Sequence, residues 1–70
     1  MNTKDCWYVS NIAASRSFSK AAELLYIAPS ALSRYVSNLE DRLAVKLFDR
    51  STTPISLTPA GTLYLYYAQQ

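Results

Sequence analysis

Seventy residues carrying a net charge of +2, half of them apolar and six of them tyrosine, are enough for one small domain with one core. The composition is too apolar for a disordered chain, and one glycine with three prolines leaves few sharp turns, which favours a mainly α fold. Histidine is absent and Cys6 is the sole cysteine, which counts against general-base catalysis at neutral pH, an internal disulfide and a Cys/His metal site.

No apolar run approaches the roughly 20 residues that span a bilayer. The opening MNTKDCWYVS lacks the basic start and apolar core of a secretory signal, so the expectation is a cytoplasmic protein with no membrane association. Cys6 reads as a small packed hydrophobe and the chain as a non-enzyme. The seven Lys and Arg residues are scattered, so any basic surface must be assembled by folding.

In chain order, residues 5–14 place Cys6, Val9, Ile12 and Ala13 on one stripe of a first amphipathic helix, flanked by Trp7 and Tyr8. Serines at 15, 17 and 19 favour a connection, with Ser19 as the N-cap of the next helix. From Lys20, KAAELLY uses strong helix formers and is apolar over more than half its circumference, with Phe18 folding back onto it. Pro29 disfavours helix at Ala28 yet suits a first helical position, so a tight turn separates this short helix from a third.

In the third helix Leu32, Val36, Leu39 and Leu43 form a core stripe, while Ser30, Ser33, Arg34 and Ser37 occupy the opposite side. VKLFDR and ISL read as two short strands joined by a turn over residues 51–54, a hairpin attached to the helix pair. Thr58 and Pro59 cap and start a last helix. Its Leu63, Tyr66 and Tyr67 leave more exposed apolar surface than a free tail would, and so predict a partner.

Two helices joined by a tight turn, then a hairpin, have the order of a winged helix-turn-helix. A helix that lies in the major groove needs short donor–acceptor side chains and an arginine for guanine or phosphate, and Ser30, Ser33, Arg34 and Ser37 supply both. Arg50, between the first strand and the wing, is placed to reach the flanking phosphates. Lys20 divides evenly between solvated and phosphate-bound. Phe18, Ala22, Leu25, Leu32, Val36, Leu39 and Phe48 read as core, and Glu40 and Asp41 as helix-surface charges.

The segments SFSKAAELL, SALSRYVSNLE, LFDR and PISLTPAG, in this order and spacing, resemble the DNA-binding domain of LysR-type transcriptional regulators of bacteria. The resemblance covers residues 3–70. It implies a winged helix-turn-helix of three helices and a two-stranded wing over residues 1–58, then the start of a dimerising linker helix over residues 59–70. In the family an effector-binding domain follows, so a small-molecule effector is implied for that domain and no cofactor for this segment.

By motif position, the family's recognition-helix contacts fall on Pro29, Ser30, Ser33 and Arg34, its phosphate-contacting arginine on Arg50, and its wing tip on Thr52, Thr53 and Pro54. The implied partners are a two-fold related double-stranded DNA site and a second copy of the chain, paired through Leu63, Tyr66 and Tyr67.

Four positions depart from the family pattern. Pro29 replaces a common glutamine, which removes a bidentate reader of adenine. Ala28 replaces a capping serine or threonine, Thr53 replaces an arginine of the wing, and Ala44 replaces the usual glycine, arguing against a left-handed cap there. Two other readings compete with duplex binding: a winged-helix module that binds a protein through its hydroxyl face and tyrosines, and binding of unpaired nucleic acid by those tyrosines.

Overall fold

The computed structural model describes residues 3–69. Its elements run α1 (Thr3–Ser15), α2 (Phe18–Leu25), α3 (Pro29–Leu43), β1 (Phe48–Asp49), β2 (Ser56–Leu57) and α4 (Pro59–Ala68). The mainly α winged helix-turn-helix is present, with the strands paired antiparallel as Phe48 with Leu57 and Asp49 with Ser56. Of the expected domain spans, Met1, Asn2 and Gln70 lie outside the described residues.

The core sits where the first three helices meet. Val9 and Ile12 of α1, Ala21 and Ala22 of α2, and Leu32 and Val36 of α3 are fully buried, joined by Leu47 on the approach to β1. The paired alanines let α2 come close to its neighbours, because a methyl group is all that separates the backbones there. Phe18 meets Phe48 edge to face with ring centroids 5.8 Å apart, fastening the wing to the start of α2. Leu65 brings α4 into the same core.

Several local expectations are corrected. The N-cap of α2 is Ser17, not Ser19: Ser17 is extended at φ −159° and its side chain accepts from the Lys20 amide, while Ser19 lies inside the helix. The helix therefore begins at Phe18, which is half-buried. Tyr26 takes the left-handed conformation that ends α2, at φ 60°, and the Ile27 amide donates back to Ala22. The same device ends α3.

Ala44 sits at φ 60° and the Val45 amide donates to the Glu40 carbonyl, so the missing glycine did not prevent a left-handed cap. The requirement to satisfy the last carbonyls of α3 outweighs the cost of placing a Cβ in that region, about 1 kcal/mol. Leu43, expected in the core stripe, is 45% exposed, because the helix ends before another element covers it. At the other end, Ala28 makes no side-chain cap bond and Pro29 opens α3, as the sequence predicts.

The strands are shorter than expected, two residues each, because side chains and loop contacts hold the rest of the hairpin. Arg16, in the left-handed region at φ 55°, donates from Nε to the Ile55 carbonyl and its own carbonyl accepts from the Ile55 amide, tying the wing to the end of α1. Within the turn, Asp49 accepts from both the amide and the hydroxyl of Ser51, which holds its carboxyl below the usual range. The Thr53–Pro54 peptide is cis. Thr58 caps α4 by accepting from the Gly61 amide, and its own amide donates to Leu47.

Candidate nucleic-acid interface

The outward face of α3 is built by spacing: Ser30, Ser33, Arg34 and Ser37 recur at helical intervals opposite the buried Leu32, Val36 and Leu39. Pro29, Ser30 and Arg34 are exposed, and Ser33 and Ser37 are half-buried. What half-covers those two serines is Arg50. Its Nη1 donates to Ser33 Oγ at 2.7 Å and its Nη2 to Ser37 Oγ at 3.4 Å. The guanidinium lies 4.3 Å from the centroid of the Phe18 ring, a stacked cation–π contact.

Behind Arg50 stands Glu40, expected on the surface and found buried. Its side chain is 2% exposed, and one carboxylate oxygen lies 3.8 Å from Arg50 Nη2. The other oxygen accepts from the amides of Leu47 at 2.7 Å and Phe48 at 3.3 Å. A buried carboxylate is tolerated here because two backbone donors and a cation satisfy it. The sequence held a signal for this: Glu40 lies one turn beyond Ser37 on the same stripe, seven residues before Leu47.

Lys20, Arg50, Thr52 and Thr53 line one open groove between the start of α2 and the wing, which Arg16 joins. Folding thus gathers the scattered charges of Arg16, Lys20 and Arg50 along this groove, together with Glu23, and Arg50 connects it to the α3 face. A second polar cluster fixes α3 from behind. Tyr35 donates its phenol to Asp5, which is 4% exposed, and Arg42 lies 3.7 Å from the other Asp5 oxygen.

The Tyr35 ring packs against Tyr8 of α1 with centroids 4.6 Å apart and planes tilted by 58°, and Lys4 stands over both rings. Burial of the phenol, then its bond to Asp5, push Tyr35 up to about 12. Burial chiefly raises Tyr64 as well, with Asp5 adding to the effect. Asp5 and Tyr35 were not singled out by sequence, since neither breaks the helical pattern and their pairing joins residues 30 apart.

On α4, Leu63, Tyr66 and Tyr67 are 56–61% exposed, and the two tyrosine rings meet edge on at 5.3 Å. The neighbouring α1 exposes Trp7, and Cys6 Sγ lies 3.8 Å from the Ala68 carbonyl, so the two helices lie side by side. Cys6 is a packed, partly buried thiol, as expected. Among the described residues, no group of side chains is arranged to hold a metal ion, and no helix is long and apolar enough to cross a membrane.

Residues 4–62 match the family described as bacterial regulatory helix-turn-helix proteins, lysR family. The chain is 42% identical over 69 residues to the HTH-type transcriptional regulator CrgA of Neisseria meningitidis, covering 99% of this chain and 23% of that protein. It is 37% identical over 68 residues to the regulator BenM of Acinetobacter baylyi, covering 97% of this chain and 22% of BenM. It therefore spans about a fifth of the length of the curated relatives it matches.

Among solved structures, the BenM DNA-binding domain in complex with catB site 1 DNA superposes with a TM-score of 0.91 at 37% identity, over 97% of this chain and 73% of that one. DarR of Vibrio fischeri in complex with DNA gives 0.87 at 38% identity, over 99% of this chain and 24% of that one.

Proposed function

The chain belongs to the LysR family of bacterial helix-turn-helix regulators, and from that premise we propose that it binds double-stranded DNA sequence-specifically, with α3 in the major groove and the wing alongside. The observation that carries this reading is the Arg50 guanidinium clamped onto Ser33 and Ser37, which joins α3 and wing into one polar, cationic face. Relatives of the same fold are seen bound to DNA, which supports it.

In this reading Ser30 and Arg34 project free ends toward base edges, and a well-placed base contact contributes roughly 1–3 kcal/mol of discrimination. Lys20, Thr52 and Thr53, along the groove edge, meet the flanking phosphates and set register. Pro29 opens the helix against the DNA without offering a hydrogen-bond donor. Two copies pair through Leu63, Tyr66 and Tyr67 of α4 and read a two-fold related site.

The protein to which the chain belongs is proposed as a cytoplasmic transcriptional regulator without catalytic activity, whose effector is a small molecule bound outside these residues. A salt titration of duplex binding tests the reading: the affinity falls steeply and log-linearly with salt if phosphates are contacted. Absence of salt-dependent duplex binding would favour a protein-binding winged helix instead. Preference for unpaired oligonucleotides, lost on Tyr66→Ala, would favour single-strand binding.

A further inference from the structure

Glu40 is the least expected group near the α3 face, because a carboxylate beside a DNA-binding surface repels phosphate. Here its charge does not reach solvent: the side chain is 2% exposed, and one oxygen is held by two backbone amides from the segment leading into β1. The other oxygen is turned toward Arg50. Phe18 closes the ring side of the guanidinium, and Ser33 and Ser37 accept from its two terminal nitrogens. Four groups on two helices, Phe18 of α2 and Ser33, Ser37 and Glu40 of α3, therefore constrain one planar side chain.

We infer that Glu40 is a positioning residue for DNA recognition: its buried carboxylate locks the Arg50 guanidinium between Phe18, Ser33 and Ser37, so that these side chains meet DNA as one preset unit. The inference rests on the DNA-binding reading above. Two consequences follow from hydrogen-bond chemistry. A serine hydroxyl that accepts from Arg50 keeps its own proton to donate, and the adjacent cation favours partners rich in electron density.

The unit therefore presents two hydroxyl protons to acceptor atoms. These are phosphate oxygens or the purine N7 and guanine O6 positions of the major-groove edge. An unlocked Arg50, by contrast, would sample many phosphates with little regard to sequence. The lock raises discrimination by removing non-specific contacts and by sparing the ordering cost of a long side chain on binding.

Glu40→Gln is the test, since the amide keeps an oxygen for the Leu47 and Phe48 amides and removes the charge that holds Arg50. Binding is measured by fluorescence anisotropy to a duplex selected from random sequence by the unaltered chain, and to a scrambled duplex of equal length. The expected result is a loss of tenfold or more in the ratio of selected to scrambled affinity, with the scrambled affinity unchanged or raised. A parallel loss on both duplexes, or no change on either, overturns the inference.

Arg50→Lys keeps a cation for the buried Glu40 carboxylate and loses the planar fork. It should lower the ratio to the same degree, and the double variant should be no worse than either single one. Additive losses would show two independent contributions and also overturn the inference. Selected duplexes substituted with 7-deazaguanine at single positions separate base acceptors from phosphate acceptors.

A readout without DNA completes the test. In the free chain the Arg50 guanidinium protons should give resolved, slowly rotating NMR signals that average in Glu40→Gln. Averaged signals in the unaltered chain sink the inference. Failure of the unaltered chain to bind any duplex sinks the DNA-binding reading instead, so the two failures are told apart.

Discussion

The phenol of Tyr35 donates to the buried carboxylate of Asp5, which ties the middle of α3 to the first turn of α1. Tyr35 adjoins Arg34 in sequence but, about 100° further round the helix, faces α1, so the bond anchors α3 outside the proposed interface. Arg42 approaches the same carboxylate one and a half to two turns further along α3, which makes Asp5 a two-point anchor.

That anchor gives the fold an alkaline limit. A phenol is neutral when protonated, and Tyr35 is pushed up to about 12 in the folded chain against an ordinary value of about 10. The folded state therefore holds this proton more tightly, so the contribution is full below the unfolded value and lost as pH rises toward the folded one. The stability difference between the chain and Tyr35→Phe, measured by urea unfolding, should be constant near neutral pH and shrink above pH about 10. A difference that stays constant into that range would contradict the role given to the phenol.

Gly61 permits a close approach between α4 and the Leu47 backbone. A Cβ built there would lie 2.0 Å from the Leu47 carbonyl oxygen and 2.9 Å from a Leu57 methyl, and backbone oxygen has little room to yield. Gly61→Ala should therefore destabilise by about 3 kcal/mol or more, despite alanine's higher helix propensity, because relief requires α4 to move off the hairpin. Thermal melting checks this, and an unchanged or raised Tm would mean that α4 is not seated as described.

Ala44 offers the opposite case. Its left-handed backbone at φ 60° suits glycine, so Ala44→Gly should stabilise the chain by about 0.5–1 kcal/mol, the relief at the cap exceeding the added freedom of the unfolded chain. Chemical denaturation of the two variants side by side measures it. A loss of stability would show that the methyl group makes contacts that outweigh its backbone cost.

Arg34→Ala should weaken binding to a selected duplex by tenfold or more at fixed salt while leaving helicity unchanged, since Arg34 is exposed on α3. Binding to scrambled duplex should fall much less. Equal losses on both duplexes would reassign Arg34 from base edges to phosphate.

Much of this molecule is written in local pattern. Apolar spacing determined the four helices and most of their buried faces, because a helix must turn its Leu32, Val36 and Leu39 one way and its Ser33, Arg34 and Ser37 the other. Proline after Ala28 and after Thr58 marked the two helix starts, since the ring presets φ where no amide partner is needed. The motifs quoted from the sequence were enough for the family.

Other features depend on groups far apart in the chain, and only the tertiary structure decided them. Ser17 rather than Ser19 caps α2, because the edge contact between Phe18 and Phe48 sets where that helix begins. Asp5 and Glu40 are buried, because Tyr35 with Arg42, and Arg50 with two backbone amides, stand ready to satisfy them. Sequence supplies a carboxylate with no indication of its solvation, and whether it costs or stabilises is settled by which donors the fold brings within reach.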